Sequence, residues 1–133
     1  MSIKRSSCFD SYHWGGQWWC LTYSTLQKIY SYYLEHRKEL DAYYKHTFCA
    51  DEQFFQTILN VVSKDDASIK IEPNLHFTDW SRKNEPLPVT FKAEDLNLLL
   101  NQPENKLFAR KFDFDVDVDI MNLLDQNLTV KGS

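Results

Sequence analysis

A chain of 133 residues, 43% of them hydrophobic and including nine Phe, seven Tyr and four Trp, fits one domain and can bury a core, which excludes a disordered tail. Fifteen Lys and Arg against nineteen Asp and Glu leave a formal charge of −4, so nucleic acid is not expected as a partner. Cys8, Cys20 and Cys49 are odd in number, widely spaced and without a CxxC pair; this argues against a disulfide scaffold and a structural zinc site, and makes a reducing compartment the simplest reading.

At the start of the chain, residues 1–5 run into polar Ser6-Ser7, and no apolar window of about 18 residues occurs anywhere, so neither a signal peptide nor a membrane span is expected. Residues 11–22 then hold two of the three glycines and three of the four tryptophans. Gly15-Gly16 predicts a turn in which the backbone approaches something closely, and the run after it predicts a short buried strand. Trp14, Trp18 and Trp19 are either the packed side of that strand or a wall on which a sugar stacks its C–H face.

Ser24-Thr25-Leu26-Gln27 has the form of a capping box, and Leu26, Ile29, Tyr30, Tyr33, Leu34, Arg37 and Leu40 keep helical spacing, predicting one long helix to about residue 45. Its His36, Arg37, Lys38 and Glu39 make a solvated face, and the four histidines show no metal-ligand spacing. A second helix is predicted from Asp51-Glu52 to near Asn60, with Phe54, Phe55, Ile58, Leu59 and Val62 on its apolar side. Glu52 is the candidate for chemistry, because a helix N-terminus holds a carboxylate rigidly at the mouth of a cleft; the other reading of Asp51 and Glu52 is a helix cap.

Residues 68–72 alternate, Ile69 and Ile71 against Lys70 and Glu72, as a half-buried strand does. His76-Phe77-Thr78-Asp79-Trp80 leads into residues 81–88, whose two prolines and mixed charges predict an exposed loop with Trp80 at its lip. A short helix from near Thr90 is stopped by Asn101-Gln102-Pro103. Beyond Leu107-Phe108-Ala109-Arg110-Lys111-Phe112-Asp113, the acids Asp113, Asp115, Asp117 and Asp119 alternate with apolar residues. Counted from Asp113, an EF-hand needs Gly and Glu where Val118 and Leu124 stand, so calcium is not predicted; a closing helix over residues 120–128 is.

Four blocks together resemble a known family. Gly16-Gln17-Trp18-Trp19-Cys20-Leu21-Thr22, Asp51-Glu52-Gln53-Phe54-Phe55-Gln56-Thr57-Ile58-Leu59, Asp79-Trp80 and Leu107-Phe108-Ala109-Arg110-Lys111-Phe112-Asp113 are similar, in that order and at those separations, to the C-terminal half of the core-2/I-branching enzymes. These are the β-1,6-N-acetylglucosaminyltransferases with their xylosyltransferase and bacterial relatives. The resemblance implies a mixed α/β fold, the C-terminal portion of a GT-A type domain, with a few short strands packed by three or four helices. It implies an inverting, metal-independent transferase that moves a sugar such as GlcNAc or xylose from a UDP-sugar donor to a glycan acceptor. Glu52 maps onto the general base and Lys111 onto the cation for the donor diphosphate, with Arg82 as a further candidate there; Trp80 maps onto the acceptor contact, to which Trp18 and Asp51 are added. No metal or other cofactor is expected.

The resemblance further implies that the chain is a single partial domain, 1–133, whose nucleotide-binding half is absent, so that self-association or pairing with that half is expected. The low cysteine content favours a bacterial cytoplasmic enzyme over a Golgi-lumen animal one. The alternative is a non-catalytic carbohydrate-binding or partner module derived from such an enzyme.

Overall fold

The computed structural model describes residues 7–131; residues 1–6, on which the signal-peptide expectation rests, lie outside the described residues. Chain contacts divide it into two compact units, one up to Pro73 and one from Asn74 onward. Among the described residues are five α-helices and a two-stranded parallel sheet, which is the mixed α/β class the sequence predicts.

The first unit contains α1 (Tyr23–Glu35), α2 (Arg37–Tyr44), a 3₁₀ turn (Ala50–Glu52) and α3 (Phe54–Asp65). Its core is Ile29, Leu40 and Ile58, ringed by Tyr33, Tyr44, Phe54 and Phe55. The rings meet edge to face, Tyr44 on Phe54 and Phe54 on Phe55 with centroids 5.1 Å apart in both pairs, the geometry that sets a positive ring edge against a negative face.

Four local expectations are corrected here. The long helix breaks at His36, whose carbonyl accepts the first amides of α2 from Glu39 and Leu40. A continuous helix would hold Ile29 and Leu40 about 16 Å apart along its axis, whereas the break lets both border one core. The cap of α1 is Thr22 and not Ser24, because the Thr22 hydroxyl accepts the Thr25 amide at 3.2 Å. No strand follows Gly15-Gly16: residues 17–22 pair with no other strand, the loop before them is bonded to residues 51–57, and Trp14, Trp18 and Trp19 are exposed. Residues 68–72 form no strand either, because Asp66 Oδ1 accepts both the amide and the hydroxyl of Ser68 and turns the chain locally.

The second unit pairs β1 (His76–Thr78) with β2 (Phe108–Arg110) in parallel, with Phe77 opposite Ala109. Parallel strands need a crossover, supplied here by an extended piece at residues 89–91, a 3₁₀ turn (Ala93–Asp95) and α4 (Leu96–Leu100). The helix expected from Thr90 thus begins later, because residues 89–91 are drawn into backbone pairing: Val89 N–H donates to Asp79 O, Lys111 N–H to Val89 O and Phe91 N–H to Lys111 O. Val89, Phe91 and Ile120 are fully buried, and Phe91 stacks on Phe77 at 5.6 Å. The closing helix α5 (Asp119–Lys131) is longer than predicted and begins on Asp117, whose Oδ1 accepts the amides of Asp119 and Ile120 while Oδ2 accepts that of Ala93.

Candidate functional site

In the first unit Glu52 closes the 3₁₀ turn and does not lie inside α3, which starts two residues later. The turn is rigid in its backbone. Glu52 N–H donates to Cys49 O at 3.0 Å, Gln53 N–H to Ala50 O at 3.1 Å, and Glu52 O accepts the Gly15 amide at 2.9 Å. Cys49, which enters the turn, has φ 50°, a left-handed conformation that costs a non-glycine residue about 1 kcal/mol or more and tends to be retained where function requires it. Neither Asp51 nor Glu52 caps a helix: the N-cap position of α3 is Gln53, which makes no side-chain bond, and no acid stands in the helix's first turn. Among the described residues neither carboxylate makes a hydrogen bond or an ion pair. The Cys49 thiol is pushed up by burial and then by the charges of Glu52 and Asp51, the direction opposite to that of an activated thiol.

The same turn receives the tryptophan-bearing loop. His13 and Thr57 exchange two bonds, amide to hydroxyl at 3.0 Å and hydroxyl to carbonyl at 3.2 Å. The Trp19 ring meets Phe55 at 4.8 Å. Trp14 is 62% and Trp18 47% exposed, so the structure brings Asp51, Glu52 and the Trp18 loop onto one unit with large aromatic faces open to solvent.

In the second unit Asp79, Trp80, Arg82 and Lys111 arise from neighbouring backbones, because Val89 bridges Asp79 to Lys111. Asp79 is buried, and its Oδ1 accepts the Ser81 amide at 2.8 Å and the Ser81 hydroxyl at 2.7 Å, so the chain folds over Trp80 and leaves that ring 62% exposed. The Ser81 bonds, with Arg82 behind them, hold the Asp79 carboxyl below the usual carboxylate range. Arg82 pairs with Asp79 through Nε at 3.3 Å, with Glu85 at 3.8 Å, and with Asp95 by a short contact. Its guanidinium is therefore engaged within its own unit, where the resemblance would have it meet the donor. Lys111 is exposed just past the end of β2, its backbone bonded to Val89 and Phe91, and its ammonium makes no ion pair among the described residues.

Three residues with structural leverage escape the sequence reading. Gln56 bonds the Gly15-Gly16 loop, and the only hint of it is its place one helical turn beyond Glu52. Asp95, buried beneath Arg82, is thirteen residues away from it, a spacing that carries no local signal. Asp117 hides among four alternating acids, of which it alone reaches both Ala93 and the start of α5. Among the described residues no group of three His, Cys, Asp or Glu is placed to hold a metal ion, and no helix is long and apolar enough to cross a membrane.

Comparison with known proteins assigns the family. The model of the core-2/I-branching enzymes matches residues 11–102. The chain belongs to the core-2/I-branching enzyme family. The stretch of this family member that the model matches includes Trp18, Asp51, Glu52, Trp80 and Arg82 and ends before Lys111. Xylosyltransferase 2 of Rattus norvegicus is 28% identical over 129 residues, an alignment that takes in 86% of this chain. The chain spans only 14% of that relative's length. No solved structure matches this family member.

Proposed function

We propose that the chain carries the acceptor-activating part of a glycosyltransferase that moves a sugar from a UDP-sugar to a glycan hydroxyl with inversion and without a metal ion. Glu52 takes the proton of the acceptor hydroxyl as its oxygen bonds to the anomeric carbon; the bond from that carbon to the UDP oxygen breaks, and its electron pair leaves on the diphosphate. The resemblance gives Lys111 of the second unit the charge on the diphosphate to meet and Trp80 an acceptor contact; in the unit of Glu52, Trp18 offers a face on which the acceptor sugar stacks. The observation that carries the reading is the Glu52 carboxylate, set on a backbone-locked turn and not used as a cap or an ion-pair partner. Arg82 serves by holding the Trp80 loop, because its charge is already matched by Asp79, Glu85 and Asp95.

The test is transfer from UDP-N-acetylglucosamine and UDP-xylose to a panel of glycans, in EDTA. Glu52→Gln is expected to lower kcat by about two to four orders of magnitude with an unchanged circular dichroism spectrum. Lys111→Ala is expected to weaken UDP binding. Retention of more than about a tenth of the turnover by Glu52→Gln removes Glu52 as the base. The exposure of Trp14, Trp18 and Trp80 favours a second reading, a glycan-binding module; glycan binding that Trp80→Ala abolishes, in a protein with no transfer activity, would select it.

A further inference from the structure

The carboxamide of Gln56 lies among three backbone carbonyls. Its Nε2 donates to Gly16 O at 3.0 Å, Gly15 O at 3.2 Å and Asp51 O at 3.3 Å. Carbonyl oxygens only accept, so the NH₂ end must face them, and with two hydrogens for three acceptors one N–H is shared. The Oε1 end is buried with no partner, a cost the arrangement carries for the sake of the other end. The approach is tight: a Cβ on Gly15 would stand 3.1 Å from Gln56 Cγ, so the Gln56 side chain would have to give by a few tenths of an ångström to admit it. The Gly15 amide, in turn, donates to the Glu52 carbonyl at 2.9 Å. One side chain on the first turns of α3 thus ties both the loop that leads to Trp18 and the turn that ends in Glu52.

We infer that Gln56 is a positioning residue whose NH₂ group clamps the Gly15-Gly16 loop to the Asp51–Glu52 turn, fixing the aromatic acceptor face relative to the carboxylate. The consequence for catalysis rests on the function proposed above; the clamp itself does not.

Gln56→Glu tests it, because the shape is kept while a donor becomes an acceptor facing three carbonyls. The whole chain has three glycines, so the amide signals of Gly15 and Gly16 are readily assigned. Hydrogen exchange at the Gly15 amide is expected to be at least about tenfold faster than in wild type, the loss of roughly one hydrogen bond, while the Ile58 amide within α3 keeps its protection. At low pH, where the new carboxyl is protonated and regains one O–H donor, part of the difference from wild type should disappear; loss of packing alone would not respond in that way. Gln56→Met, which keeps the length and removes the donor, should loosen Gly15 as Glu does and stands in if the Glu variant fails to fold. In transfer assays the acceptor KM should rise while the donor KM holds, a split that a lower fraction of folded enzyme cannot produce. Unchanged Gly15 exchange in both variants overturns the clamp whatever the kinetics. Faster Gly15 exchange with an unmoved acceptor KM upholds the clamp and overturns the acceptor role given to Trp18.

Discussion

The two units stabilise themselves by different means. In the first, buried Ile29, Leu40 and Ile58 are wrapped in rings, and the titratable groups among them, Cys8, Tyr32 and Tyr44, are all pushed up by burial. In the second, the loop around Trp80 is held by carboxylates, and Asp79 and Asp117 are both held below the ordinary range, first by backbone amides of Ser81 and Ala93. The contrast shows how a short chain can present a carboxylate and an aromatic ring to solvent by two routes. Glu52 stands on a turn whose backbone is bonded, whereas Trp80 stands on a loop whose neighbours' side chains are bonded.

The comparison can be tested most strongly in the core of the first unit. Ile58→Ala removes a fully buried side chain and should cost about 2–5 kcal/mol, read as a lower denaturant midpoint. A loss below about 1 kcal/mol would mean that the ring cluster closes over the gap and that the aliphatic core is not what holds this unit. Next in size is Arg82→Met, which strips the counter-charge from buried Asp79 and Asp95 and should cost about 2 kcal/mol. The same change at Arg37, whose partner Asp41 is exposed, should cost no more than about 1 kcal/mol. Equal losses at the two arginines would dissolve the distinction between a structural network and a surface pair.

The smallest effect is in pH, and here the units should part in direction. Asp79, with its folded pKa depressed, contributes stability that is present above about pH 4, where an unfolded Asp ionises, and is lost as pH falls through the lowered value. Tyr44, pushed up to about 12 by burial, stays neutral in the folded chain where an unfolded tyrosine ionises near 10, so the first unit keeps its full stability below about pH 10 and loses some of it between there and about 12. Amide protection at Val89 should weaken first in acid, and tyrosinate absorbance should rise together with loss of near-ultraviolet dichroism in base. Loss of Ile58 protection before Val89 on the acid side would break the contrast.

Much of this was legible in the sequence. Periodicity gave the apolar side of α3, and the prolines and mixed charges gave the loop at residues 81–88; on α1 periodicity was right for Ile29 and Tyr33 and wrong for Leu26, Tyr30 and Leu34, which are exposed while Thr25 and Tyr32 turn toward the core. It failed after Gly15-Gly16, where residues 17–22 form no strand, and at residues 89–91, whose backbone groups found the non-local partners Asp79 and Lys111 and not a helix. At residues 68–72 the competitor was local, Asp66 bonding two residues ahead. Glu52 stood out as a candidate in the sequence, but the turn that holds it did not, because its support comes from Gly15 and Gln56, far apart in the chain.

Asp117 gives the second unit an unusual economy. One of its oxygens serves the opening of α5 and the other the entrance to the 3₁₀ turn at Ala93, two segments that are remote along the chain. Helix ends normally fray each on its own. Here both ends lean on one carboxylate, so an event that displaces the Asp117 side chain takes a bond from the first turn of the last helix and from the crossover between the strands together.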